Sequence, residues 1–226
     1  LIGLVYKQWN RDVHVIDPFP LDPREYAVYH SLDPHPRNPD AGIWVAVDRK
    51  GRKFVVDEYY ENPDTVKHLA MDIKKKNSQY RMEQPFVIDP SATIVDQHTE
   101  RCLATMLQEE GLHYIPASKS RAASDKRIET ALDYNMQNGE MLKAPELYVF
   151  STCKRTIWEV EHWRWAEWKG KTGMDRNRKE QKIDKDDHEI ECLGRILFQE
   201  PQFREYYSKL GAPVGVQTIS TDDPYD

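Results

Sequence analysis

Three closely spaced runs rich in β-branched and aromatic residues decide what class of fold this chain can adopt. Residues 26–32 carry Tyr26, Val28 and Tyr29, residues 43–47 carry Ile43, Trp44, Val45 and Val47, and residues 54–59 carry Phe54, Val55, Val56 and Tyr59. Such side chains pack well on a pleated surface and lose rotamer freedom in a helix. Between the second and third runs stand Arg49, Lys50, Gly51 and Arg52, a short turn-like stretch that suits a hairpin. An antiparallel three-strand meander is the expected start of a sheet.

Beyond the meander the pattern alternates. Residues 65–74 set Val66, Leu69, Ala70 and Ile73 at helical spacing and end on a basic turn. Residues 85–91 read as a short buried strand ending on Asp89-Pro90, and residues 114–116 as another. Helices are expected over 97–110, closed by Gly111, over 122–137, and over 152–165 with a heavy tryptophan load. Residues 147–150 form a further strand, and 186–197 a last helix whose buried stripe is Ile190, Leu193, Ile196 and Leu197. Strands alternating with helices after a meander predict an α/β domain, a mixed sheet covered on both faces. A chain of 226 residues accommodates one such domain over 26–200, an extended proline-rich lead-in over 1–25, and a partly disordered extension over 201–226. The start at Leu1 reads as a fragment of something longer.

Composition removes several classes of function. A charged fraction of 31% and a mean hydropathy of -0.80 leave no apolar run of membrane-spanning length. Cys102, Cys153 and Cys192 are odd in number and scattered, so a disulfide framework is excluded in favour of free thiols in a reducing compartment. Gly170-Lys171-Thr172 resembles the end of a phosphate-binding loop, but Trp165 stands where the first glycine belongs. His188 and Cys192 lack the further pair a structural zinc site needs. The formal net charge of -6 does not exclude nucleic acid, because residues 164–185 hold eight Lys or Arg against four acids.

Acids gather at the ends of elements: Asp33 after the first strand, Asp89 at the tip of the fourth, and Asp186, Asp187 and Glu191 on the last helix. Asp33-Pro34 and Asp89-Pro90 are also ordinary turn initiators. If the first and fourth strands lie side by side under the last helix, the carboxylates meet at one edge. Such a cluster of hard oxygen donors suits Mg²⁺ or Mn²⁺, a pair of which serves in-line phosphoryl displacement.

Meander, acid after the first strand, acid after the fourth and an acid-rich final helix together resemble a ribonuclease H-like nuclease. More narrowly, Leu32-Asp33-Pro34-His35-Pro36-Arg37, Val87-Ile88-Asp89-Pro90-Ser91-Ala92 and Asp186-Asp187-His188-Glu189-Ile190-Glu191 resemble the C-terminal nuclease domain of the large terminase subunit of tailed bacteriophages, over most of residues 1–198. The resemblance implies a domain that cuts concatemeric viral DNA with two divalent ions, Mg²⁺ or Mn²⁺. It also implies double-stranded DNA, an N-terminal ATPase domain of the same full-length chain, the portal and the small terminase subunit as partners, in the cytoplasm of the infected bacterial host.

Carried over, Asp33 bridges the two metals, Asp89 binds one, and Asp187 completes the site with Glu191 and Asp186 in support. His188 is expected to position water or a ligand, with His35 and Asp40 weaker expectations of the same kind. Many relatives carry Asp-His and then Asp where this chain has Asp187-His188 and then Glu191, which leaves the principal acid of the helix open. Lys119, Arg121 and Lys126, with Lys171, Arg176, Arg178, Lys179 and Lys182 of the basic loop, are expected to hold the DNA backbone. A junction resolvase or transposase-like nuclease of the same fold, and a non-catalytic docking module, are the alternatives.

Overall fold

The computed structural model describes residues 4–36, 38–97, 99–118, 120–165 and 187–205. Its frame is a seven-stranded mixed sheet. The meander consists of β2 (Tyr26–Asp33), β3 (Asp40–Asp48) and β4 (Lys53–Glu61), each antiparallel to the next. On the β2 side, β5 (Phe86–Ile88) and β6 (Tyr114–Pro116) are added in parallel. On the β4 side the parallel additions are β9 (Leu147–Phe150) and the short β1 (Val15–Ile16), giving the order β1-β9-β4-β3-β2-β5-β6. Every residue of the central β3 is buried, as a strand covered on both faces must be.

Six helices complete the fold among the described residues: α1 (Arg11–His14), α2 (Val66–Asn77), α3 (Leu103–Glu109), α4 (Arg121–Ala131), α5 (Lys154–His162) and α6 (His188–Phe198). Alternation along β2 assigns the two faces. His30 stacks on Trp44, whose indole donates to Asn77 Oδ1 at 2.8 Å, so that face lies under α2. Tyr29, Ser31 and Asp33 point the other way, and the Tyr29 hydroxyl donates to the Gln202 carbonyl, just beyond α6, at 2.6 Å. Helix α6 therefore crosses β2 and β3 with Ile190, Leu193, Ile196 and Leu197 buried beneath it.

Several element boundaries differ from the expectation. The stretch read as an extended arm holds α1 and β1, and Leu4, Val5 and Tyr6 are buried, with Val5 N donating to the Trp163 carbonyl. The helix expected over 97–110 is only α3, preceded by a 3₁₀ turn at Pro90–Thr93. The helix expected over 122–137 ends at Ala131. Residues beyond it form a separate hairpin of β7 (Asn135–Gln137) and β8 (Glu140–Lys143), turning on Asn138 and Gly139 with φ of 52° and 84°. That turn has positive φ at both central residues, the conformation for which Asn-Gly is the preferred pair. Of the extension expected over 201–226, residues 206–226 lie outside the described residues, as does the basic stretch over 166–186.

The register of α6 is held by two carboxylates acting in series, Glu58 half-buried and Glu159 fully buried. Glu58 of β4 accepts hydrogen bonds from the backbone N–H groups of Arg155 and Thr156 and from the Thr156 hydroxyl, capping the start of α5 from outside. Glu159 of α5, fully buried, then accepts from the N–H groups of Glu189 and Ile190 at 2.9 and 3.2 Å. Asp187, the residue preceding α6, makes no side-chain cap of its own, so Glu159 satisfies those donors in its place. Burial pushes the Glu159 carboxyl up to about 7, against the pull of Arg155 and the two amides. Glu189, also fully buried, is raised by that burial well above its ordinary value, and neither of its carboxyl oxygens meets a hydrogen-bond partner among the described residues.

Two stability measurements check this packing. A Cβ on Gly194 would lie 3.0 Å from the Ser124 Cβ, where α6 meets α4. Gly194→Val is therefore expected to cost about 1–3 kcal/mol in urea unfolding by overpacking, and an unchanged midpoint would contradict the close approach. The raised Glu159 carboxyl gives a pH signature. The folded state holds a proton that the unfolded chain releases above its ordinary 4.5, so this group's stabilisation is complete below that pH and is lost as pH rises towards about 7. Glu159→Gln removes the effect, and the stability difference between wild type and variant should shift by about 3 kcal/mol between those limits. A difference that stays constant from pH 4.5 to 8 rules the assignment out.

Candidate metal centre

The parallel pairing of β2 with β5 brings the first two acids together. Asp33 is the last residue of β2, Asp89 follows the last residue of β5, and the Asp89 N–H donates to the Leu32 carbonyl at 3.0 Å. One Asp89 oxygen accepts from the Ser91 N–H at 2.8 Å, which anchors the carboxylate at the head of the 3₁₀ turn. Glu191, one turn into α6, comes down from above. Oxygen atoms of Asp33, Asp89 and Glu191 lie within 4.8 Å of one another. Three carboxylates from three distant segments, all offering oxygen, fit a hard divalent cation.

Asp33 is buried, and its two oxygens are both engaged. His188 Nδ1 lies 2.8 Å from one and Arg195 Nη1 2.9 Å from the other. Burial alone raises such a carboxyl, but the bond from His188 and the charge of Arg195 outweigh it and hold Asp33 below its ordinary value. The bond to Asp33 raises His188 in turn, against partial burial. The other edge of that ring is 3.3 Å from the Asn38 amide nitrogen. Burial raises Glu191 although Arg195 and Arg121 flank it at 2.9 and 3.0 Å.

Asp187 lines the same cleft as Asp33, Asp89 and Glu191. Its carboxylate is buried and gripped by Arg121, and its oxygens are not in the converging triad, where Glu191 stands instead. The reason is helical geometry: Asp187 precedes the first turn of α6, and Glu191 sits one turn further along, over Asp89 and Asp33. His35 and Asp40 flank the link between β2 and β3. Asp40 accepts from the His35 N–H at 2.8 Å, and the His35 and His188 rings lie 5.4 Å apart. Asp186, Lys119, Lys171, Arg176, Arg178, Lys179 and Lys182 lie outside the described residues. Lys126 is exposed on α4 and pairs with Glu129 at 3.2 Å, whereas Arg121 sits among the acids.

Two clefts meet at the triad. One, of about 460 Å³, is lined by Asp33, His35, Asn38 and His188; the other, of about 550 Å³, by Ser91, Ser118, Arg121, Ser124 and Trp163. Asp89, Ser91 and Glu191 border both, so the carboxylates form the ridge between them. The sequence alone gives Arg195 no role. Its contacts with all three acids follow only from the tertiary arrangement, although its position four residues after Glu191 is a signal that the two pair.

No protein-family model and no curated protein matches the chain in sequence. The fold does have solved counterparts. The large terminase of a thermophilic bacteriophage superposes with a TM-score of 0.65 at 19% identity, over 87% of this chain and 45% of that one. The nuclease domain of the P22 large terminase superposes with a TM-score of 0.62 at 14% identity, over 88% of this chain and 92% of that one. The chain thus spans less than half the length of the thermophilic phage protein and nearly all of the P22 domain. Its mixed sheet and flanking helices give it the ribonuclease H-like fold of the phage large terminase nuclease domain.

Proposed function

We propose that this chain is the nuclease part of a terminase large subunit, cutting concatemeric viral DNA by divalent-metal-dependent hydrolysis of phosphodiester bonds. The observation that carries the reading is the convergence of Asp33, Asp89 and Glu191 at the shared edge of β2, β5 and α6. In this reading residues 26–200 form the body of the nuclease domain, and the preceding segment packs into it through β1 and Leu4–Tyr6. Double-stranded DNA, an ATPase domain of the same full-length chain, the portal and the small terminase subunit are its partners in the host cytoplasm.

Asp33, Asp89 and Glu191 would hold two Mg²⁺ or Mn²⁺ ions, which when bound supply Lewis acidity to the scissile phosphate. His188, tied to Asp33 at 2.8 Å, orients that carboxylate and presents its other edge to the cleft beside Asn38. Asp187 fixes Arg121 next to Glu191, keeping positive charge where a phosphate enters. Lys119, Lys126 and the basic stretch that carries Lys171, Arg176, Arg178, Lys179 and Lys182 hold the DNA backbone without reading sequence.

Nicking of supercoiled plasmid in Mg²⁺ or Mn²⁺ tests the assignment. Asp89→Ala and Glu191→Gln are each expected to lower the rate by at least about 100-fold, and Asp187→Asn by roughly 10-fold. Undiminished cleavage by Asp89→Ala removes the reaction from this cluster, and a larger loss in Asp187→Asn than in Glu191→Gln makes Asp187 the ligand. Binding to duplex DNA should weaken steeply with salt, the logarithm of affinity falling by about 0.9 per decade of salt for each phosphate neutralised. A flat salt dependence would argue against backbone contacts.

A further inference from the structure

The guanidinium of Arg195 lies among the three acids that the metal reading assigns as ligands. Its Nη1 is 2.9 Å from Asp33 Oδ1, and its Nη2 is 2.6 Å from Asp89 Oδ2 and 2.9 Å from Glu191 Oε2. The other oxygens of the triad are taken by His188, the Ser91 N–H and Arg121. Among the described residues Arg195 is thus the one cation shared by all three acids, and it is itself buried.

Three carboxylates with oxygens within 4.8 Å of one another repel, so the cluster needs positive charge among them. A divalent ion held by these oxygens would in turn repel a guanidinium bonded to the same carboxylates. The oxygens that would ligate the metal are among those the guanidinium now occupies, so guanidinium and metal compete for them. Room for the side chain to leave exists on its own side, in the cleft of about 550 Å³ that Arg195 borders with Ser118, Ser124 and Asp125.

We propose that Arg195 is the resident cation of this site, exchanged for the metal rather than assisting it. The guanidinium stabilises the metal-free fold by standing in the ion's place, and loading requires it to swing into the neighbouring cleft. Arg195 thereby sets the metal concentration at which the site fills. The inference rests on the metal reading above, and the experiment separates the two.

Mn²⁺ is titrated by calorimetry into the purified chain, its Arg195→Gln and Arg195→Lys variants, and Asp89→Asn, and melting temperatures are recorded in EDTA and in Mn²⁺. Arg195→Gln is expected to bind Mn²⁺ at least about 10-fold more tightly than wild type, to melt lower in EDTA, and to gain more from Mn²⁺. Arg195→Lys should fall between the two and remains measurable if the Gln variant fails to fold without metal. Binding by Arg195→Gln alone, with none by wild type, supports the exchange most strongly. Equal or weaker Mn²⁺ affinity in both Arg195 variants overturns it while leaving the metal site standing. Failure of every protein to bind Mn²⁺, or undiminished binding by Asp89→Asn, overturns the metal reading and the exchange with it.

Discussion

The position of α6 over the sheet depends on one buried carboxylate, that of Glu159. A helix start leaves backbone N–H groups without partners, and inside a protein those donors must be met. Here they are met by a side chain from α5, whose own start is held by Glu58 of β4. Two acids thus transmit the register of the sheet to a helix distant in sequence. Everything chemical on α6, His188, Glu191 and Arg195, inherits its place from that relay.

The charges at the sheet edge follow from the same arrangement. Once α6 is seated, Glu191 has to approach Asp33 and Asp89, and the crowding of three acids is tolerable only with cations among them. Arg195 and Arg121 supply these, and His188 adds a bond to Asp33. Hydrogen bonding and burial act in opposite directions across the cluster. Asp33, with two charged or polar partners, is held down, while Glu191 is raised because burial prevails over its two arginines. The acids are therefore not equivalent, although each offers the same group.

Much of this is legible in the sequence, for identifiable reasons. The strands of the meander are betrayed by their own side chains, and Asp33 and Asp89 by their position at strand tips before proline. The buried stripe of α6 follows from spacing alone. What cannot be read is what depends on neighbours. Glu159 and Glu189 look like solvent-facing acids of polar helices, yet both are fully buried, because the surfaces covering them come from elsewhere in the chain. Arg195 shares a helical face with Glu191, but its bonds to Asp33 and Asp89 are tertiary. Asn138-Gly139, by contrast, is a readable hairpin signal that the expectation of a helix over 122–137 took only as the helix's end.

The adjacency of β2 and β5 gives the strand acids and the helical acid unequal freedom to move. Asp33 and Asp89 sit at neighbouring strand ends tied by the bond from the Asp89 N–H to the Leu32 carbonyl, so their separation is set by sheet geometry. Neither acid can drift without breaking a ladder that the core also needs. The third acid rides on a helix, where the next residue on the same face is one turn away and a longer side chain compensates for a small displacement of the backbone. Drift in such a centre is thus confined to its helical partner, with the strand pair as the fixed reference.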